Sequence, residues 1–230
     1  MTLSPRSQYR VVIVEDHVLF AESLELAVSM EGYDVRRIPM PSEPVSTATM
    51  VSVVLRNKPK VVLLDLDLGR YGDGVRLIEP LAKAGVDVVV VTGAIEEARW
   101  GQALRNGART VLSKSRPLGE ILGTVRRLYQ GACVLAVSDR ERLIRVRFER
   151  QHEVSELSRR IELLTKRESQ VLGHLMLGRT VHEIAVIGVV SEATVRTQVK
   201  SILAKLQVTS QIAAVGLAHR LGWRSPQSLE

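Results

Sequence analysis

The chain has 230 residues, room for two ordinary domains, and its 45% hydrophobic and 25% charged content is that of globular protein with aliphatic cores. A single cysteine, Cys133, excludes an internal disulfide and points to a reducing compartment, the cytoplasm. No apolar run approaches the ~18 residues of a membrane span, and Met1 to Gln8 lacks the apolar core of a signal peptide.

The net charge of +7 is unevenly placed: 17 Lys and Arg stand against 15 Asp and Glu over residues 1–130, and 15 against 10 over 131–230. An electropositive second half suits a polyanionic partner.

In chain order, Arg10 to Val14 is a short apolar strand that ends in Glu15-Asp16. From His17 to Glu31 the apolar positions Leu19, Phe20, Leu24, Leu26, Ala27 and Met30 fit one helical face, and Gly32 closes it. Val35 to Ile38 is a second strand, and prolines at 39, 41 and 44 precede a helix over 45–56. Val61-Val62-Leu63-Leu64 reads as a strand buried on both faces, delivering Asp65 to its carboxyl end. A helix over 74–84, a strand over 86–91 ending at Thr92, and a helix over 96–106 come next. Val111-Leu112 is a short strand ending at Ser113-Lys114, and Pro117 opens a last helix to about Gln130.

Five strands alternating with five helices give an α/β, doubly wound, five-stranded parallel sheet. Its polar residues fall at strand carboxyl ends: Glu15, Asp16, Asp65, Thr92 and Lys114. Right-handed crossovers bring those ends to one edge. Clustered carboxylates repel, so a hard divalent cation is the natural occupant, and Mg²⁺ would keep waters for an incoming phosphate. A hydroxyl and an ammonium opposite complete a cradle for a tetrahedral dianion. The chemistry predicted is metal-assisted phosphoryl transfer onto or near Asp65.

These residues resemble the hallmark set of the receiver domain of two-component response regulators, a CheY-like, flavodoxin-like fold, over residues 9–131. The resemblance implies Asp65 as phosphoacceptor for a sensor histidine kinase. It implies Mg²⁺ held by Asp16, Asp65 and the backbone carbonyl of Asp67, with Glu15 acting through water, and phosphoryl oxygens held by Thr92 and Lys114. Three departures stand out. The loop after Asp65 is one residue longer than the family's usual pattern, Gly93 replaces an alanine, and Val111 occupies the place of the aromatic switch residue. Asp65-Leu66-Asp67, Thr92 and a later lysine are also similar to the haloacid-dehalogenase phosphatases, which make an aspartyl-phosphate. Those would carry their acidic pair after the lysine, whereas here it comes first.

Residues 132–160 read as a long charged helical linker, with Ser138-Asp-Arg-Glu141 as a capping box. Val154, Leu157, Ile161 and Leu164 form a narrow seam, either for a coiled coil or for docking on the next domain. The alternation Ile144, Val146, Phe148 leaves a strand open as an alternative. Cys133 reads as a small core residue, His17 as a loop residue, and Trp100 and Trp223 as packing anchors.

Residues 161–226 form a small all-α domain of four helices. Capping boxes begin at Thr165 and Thr180, Ser191 caps a helix to Leu206, and Gln211 to Leu221 closes the domain. Two helices joined by a tight turn, the second basic on its free side, describe a helix-turn-helix or an all-α interaction module. Thr165-Lys-Arg-Glu-Ser-Gln-Val-Leu and Ser191-Glu-Ala-Thr-Val-Arg-Thr-Gln-Val-Lys resemble the LuxR-type DNA-binding domain. That resemblance implies Arg196, Thr197 and Lys200 in the major groove, and Ser191, Thr194, Gln198, Lys166 and Arg167 at phosphates. It further implies a homodimer through Gln211, Val215, Ala218 and Leu221 on an inverted-repeat promoter site. Two residues depart from the pattern: Ile187 stands where a polar residue is usual, and Gly188 where an apolar one is. Receiver plus LuxR-type domain is the NarL/FixJ class of response regulator. With Val111 in the switch position, a phosphorylation-independent DNA-binding regulator is the alternative.

Overall fold

The computed structural model describes residues 5–225 apart from positions 42 and 44. It divides into two compact units, Met1–Phe148 and Glu149–Glu230.

The first unit holds five strands, β1 (Arg10–Val14), β2 (Asp34–Arg37), β3 (Val61–Leu64), β4 (Asp87–Thr92) and β5 (Thr110–Ser113). All pair in parallel, in the order β2-β1-β3-β4-β5. The crossovers are α1 (Val18–Met30), α2 (Thr47–Arg56), α3 (Val75–Lys83) and α4 (Glu97–Arg105), with α5 (Leu118–Tyr129) after β5. Alternate strand residues feed two cores. Val12, Val14, Val62, Leu64, Val88 and Val90 pack with α2, α3 and α4, while Val11, Ile13, Val61, Leu63, Val89 and Val91 pack with α1 and α5. Both faces are covered, which is why the central strands are apolar throughout instead of alternating. Each buried Val or Leu of β3 contributes about 1.5–3 kcal/mol of transfer free energy. The register sets Val14 beside Leu64 and Leu64 beside Val90, so β1, β3 and β4 end along one edge.

Helix α6 (Val137–Glu162) takes up the connector from its sixth residue onward, and the strand alternative at Ile144–Phe148 is not adopted. The capping box expected at Ser138 does not form, because the helix begins one residue earlier, at Val137. Its start is fixed by docking instead. The Arg140 guanidinium donates to the carbonyls of Leu104 and Ala108 at 2.7 and 3.0 Å, at and just past the end of α4. Leu143 enters the same core as α4. Cys133 is exposed, contrary to the core placement expected: Val134 and Leu135 occupy the apolar space beside it.

The second unit begins with the last turns of α6. Ile161 and Leu164 are buried and Leu157 half-buried in that unit's own core, while Val154 is 39% exposed. The narrow seam is therefore used largely for docking within the unit. Next come α7 (Lys166–Met176), α8 (Val181–Ile187), α9 (Glu192–Leu206) and α10 (Gln211–Arg220). Thr165 and Thr180 form full capping boxes, and Ser191 and Ser210 cap α9 and α10. The core joins Val171, Leu172 and Leu175 of α7 to Val195, Val199 and Ile202 of α9.

Helix α10 is turned differently from the dimerisation set expected of it. Ala218 is fully buried in its own domain, while Leu221, like Val215, is half-buried against the same core. The open side of α10 carries Gln211 and Ile212, the latter 85% exposed, with Val215 at its margin.

Candidate functional site

Asp65 sits one residue beyond β3 and is buried, at 2% exposure. Its Oδ2 accepts from Lys114 Nζ at 2.7 Å, and its Oδ1 accepts from the Asp67 N–H at 3.2 Å. Lys114, just past β5, also donates to Glu15 Oε1 at 2.8 Å and lies 5.0 Å from the Phe20 ring centre. Burial works against the Lys114 charge. The hydrogen bonds to Asp65 and Glu15 outweigh it, so the ammonium is held above its usual pKa. Lys114 is therefore charged at any neutral pH, and it neutralises part of a crowded acidic pocket.

Glu15, Asp16, His17 and Asp65 bring one ligand atom each within 4.8 Å of the others. Asp16 Oδ1 is enclosed yet makes no hydrogen bond among the described residues, although His17 Nδ1 lies 3.0 Å away. An enclosed carboxylate oxygen without a donor is costly unless a cation supplies the missing interaction. The donor set fits a hard divalent cation. Asp67 adds no carboxylate to this cluster, because its side chain turns out to Arg99 at 2.8 Å. His17 is a loop residue, as expected, in extended backbone just before α1, with Nδ1 3.1 Å from Glu15 Oε1. Its place next to the acidic pair in sequence was the signal for it.

The loop after Asp65 is tightly constrained. Leu66 and Leu68 are buried, a single 3₁₀ turn covers Gly69–Tyr71, and Asp67 bridges antiparallel to Asp73. Gly74 packs on the Asp65 carbonyl so closely that any Cβ there would collide with it. Gly69 adopts φ +55 beside Asp16 Oδ2, where a side chain would be both strained and obstructed.

Thr92, fully buried at the end of β4, accepts the Ala94 N–H on Oγ1 at 3.1 Å. Val111 on β5 is a half-buried aliphatic packed on the α2–α4 core. The structure thus brings Glu15, Asp16, Asp65, Thr92 and Lys114 to one sheet edge, as the sequence predicts, and leaves the Asp67 carboxylate outside the acidic cluster.

In the second unit, α9 presents Ser191, Thr194, Arg196, Thr197 and Lys200 to solvent. Several of these are already engaged. Ser191 Oγ caps Thr194, Thr197 Oγ1 donates to the Ala193 carbonyl, and Arg196 Nη2 pairs with Glu192 at 3.1 Å. Glu192 also meets His182 of α8 at 2.9 Å. This Glu192–His182–Arg196 group at the head of α9 was not anticipated, since it joins residues of two helices. Gln198 is half-buried, with Oε1 enclosed and unpaired among the described residues. Lys166 and Arg167 are exposed at the start of α7. Arg167 also donates to the Gly188 carbonyl at 3.0 Å, and a Cβ at Gly188 would strike its guanidinium. That accounts for a glycine where an apolar residue is usual: it lets Arg167 cap α8.

The comparisons with known proteins agree with both halves. The family model of the response regulator receiver domain matches residues 11–126, and that of bacterial regulatory proteins of the luxR family matches residues 162–218. The nitrate/nitrite response regulator protein homolog of Haemophilus influenzae is 27% identical over 214 residues, spanning 92% of this chain and 97% of that protein. The response regulator protein VraR of Staphylococcus epidermidis is 29% identical over 208 residues, spanning 90% and 94%. Among solved structures, the RcsB response regulator of Salmonella typhimurium aligns at 20% identity with a TM-score of 0.47, covering 92% of this chain and 98% of that one.

Proposed function

The chain belongs to the response regulators, with a receiver domain followed by a LuxR-type DNA-binding domain, and from this we propose that Asp65 is its phosphoacceptor. The observation that carries the reading is the buried Asp65 carboxylate, bonded to Lys114 and set against Glu15, Asp16 and Thr92 at one sheet edge. The donor is a phosphohistidine of a sensor kinase. An Asp65 oxygen attacks phosphorus, the N–P bond breaks, and the electron pair returns to the imidazole. Asp16, Asp65 and the Asp67 carbonyl would hold Mg²⁺, with Glu15 acting through water, and the cation would supply charge neutralisation between carboxylate and phosphoryl. Lys114 binds a phosphoryl oxygen through Nζ, and Thr92 donates its hydroxyl to another.

The consequence is a population shift in a DNA-binding protein acting in the cytoplasm. Phosphorylation adds nearly two negative charges at the sheet edge and favours a homodimer on an inverted-repeat promoter site, with half-sites about one turn (~10 bp) apart. Arg196, Thr197 and Lys200 read the major groove, while Ser191, Thr194, Lys166 and Arg167 meet phosphates. Gln211, Ile212 and Val215 supply the pairing face of α10.

Incubation with a small phosphoramidate donor and Mg²⁺ tests the reading. The intact protein should gain the mass of one phosphoryl group, lose it to hydroxylamine, and gain none as Asp65→Asn. A second reading, phosphorylation-independent DNA binding, is favoured by Val111, which offers no ring to respond to Thr92. It requires operator affinity to be the same with donor, without donor, and in Asp65→Asn.

A further inference from the structure

Three successive residues of α4 touch three different parts of the first unit. Arg99 donates from Nη1 to Asp67 Oδ1 at 2.8 Å and from Nη2 to Asp73 Oδ1 at 3.2 Å. Those two aspartates are the two ends of the loop after β3, already joined by a backbone bridge. Trp100 donates its indole N–H to the Ala94 carbonyl at 2.8 Å, and the Ala94 N–H in turn donates to Thr92 Oγ1. Gly101 lies directly on the Leu143 backbone of α6, where any Cβ would collide with the Leu143 carbonyl.

We infer that Arg99 and Trp100 are positioning residues of the phosphoryl site, which fix its two loops to α4, and that the Gly101 contact passes their displacement to the first half of α6. The inference rests on Asp65 being the phosphoacceptor and supplies what Val111 cannot: a link from Thr92 to the output side of the receiver.

The chemistry supports each link. Asp67 and Asp73 repel each other unless a cation lies between them. A guanidinium can bond both from its two Nη atoms, whereas a lysine is a single point charge. The same loop carries the Asp67 carbonyl assigned to the metal, so holding its ends holds that carbonyl. On the other side, a Thr92 hydroxyl drawn to a phosphoryl oxygen pulls on Ala94, and Ala94 is tied to the Trp100 indole. Helix α4 moves as a body because Ala103 and Leu104 are fully buried in the sheet core. Gly101 allows backbone contact, so displacement of α4 reaches α6 without a compliant side chain between them. Arg140 and Leu143 secure the same pair of helices.

Isolated ion pairs at this exposure are each worth little, so the test needs a specific signature. The full-length protein is titrated with beryllofluoride at fixed Mg²⁺, binding is read by fluorine NMR, and amide exchange is followed over residues 137–148. Wild type is expected to bind the mimic and change its exchange in that segment. Arg99→Ala should bind about 3- to 10-fold more weakly, and Arg99→Lys should recover less than half of that loss. Trp100→Phe keeps an aromatic ring in place but has no indole N–H. It should still bind the mimic while leaving exchange over 137–148 unchanged. Binding by Arg99→Ala within about twofold of wild type, full rescue by Arg99→Lys, or a wild-type exchange response in Trp100→Phe would each overturn the inference. A wild type that ignores beryllofluoride altogether would sink the phosphoacceptor reading and this one with it.

Discussion

Glu168, the third residue of α7, is where the second unit is most sensitive to charge. Its carboxylate is buried and accepts from Lys205 Nζ at 2.7 Å, Ser201 Oγ at 2.6 Å and the Thr165 N–H at 2.7 Å. One side chain therefore ties the start of α7 to the far end of α9. Burial alone would raise its pKa, but the bonds from Lys205, Ser201 and Thr165 prevail and pull it from 4.5 down to about 2. A folded pKa below the unfolded one means the stabilisation is present above pH 4.5 and is lost as the pH falls toward 2. A depression of that size corresponds to roughly 3 kcal/mol, in line with a charged hydrogen-bond group whose partners become unpaired. Glu168→Gln keeps the shape and removes the charge. It should destabilise the second unit at pH 7 by about 2–3 kcal/mol, or on the order of 10–20 °C in Tm for a unit of this size. Urea unfolding monitored by Trp223 fluorescence, in a Trp100→Phe background, measures this at pH 7, 5, 4 and 3. The gap between the two proteins should shrink as the pH drops through the carboxylate range. A gap below about 0.5 kcal/mol at pH 7, or one that stays constant down to pH 3, would refute the reasoning.

Lys114→Met removes the ammonium that opposes cation binding at Glu15 and Asp65. It should bind Mn²⁺ more tightly by calorimetry in the absence of phosphoryl, yet fail to hold beryllofluoride. Gly101→Ala gains up to about 1 kcal/mol of helix propensity but drives a methyl into the Leu143 carbonyl. The net loss should be about 1–2 kcal/mol, visible as faster amide exchange over residues 137–148. Arg196→Ala should weaken binding to a site selected from random DNA by about 1–3 kcal/mol and relax preference at one base pair, measured by fluorescence anisotropy. Lys200→Ala should do the same at a different pair, and equal losses on all sequences would instead make both of them phosphate contacts.

Much of this protein was written in local pattern. Val61 to Leu64 reads as a strand with two covered faces, because the run is short, half β-branched and bounded by the Asn57–Pro59 turn and the glycine-rich loop after Asp65. A carboxylate just beyond such a strand must lie at the sheet edge, and parallel connections send every such edge residue to the same side. That is why Glu15, Asp16, Asp65, Thr92 and Lys114 were legible as one site. The capping boxes at Thr165 and Thr180 were legible for a related reason: the interacting groups lie three residues apart, and both form at the helix starts that spacing favours.

What the sequence misplaced depended on groups far apart in the chain. The Ser138 box has the right spacing but yields to the docking of Arg140 on the end of α4, more than thirty residues earlier. Ala218 and Cys133 have the same ambiguous small side chains, and only the packing around them put one inside and the other outside. Arg99 carries no signature of its own, since its partners Asp67 and Asp73 stand 32 and 26 positions away. Periodicity and spacing report which way a residue faces on its own element. Which element lies opposite is set by how the apolar faces fit together in three dimensions, and here that fit put Arg99 against the loop after β3 and Gly101 against the Leu143 backbone.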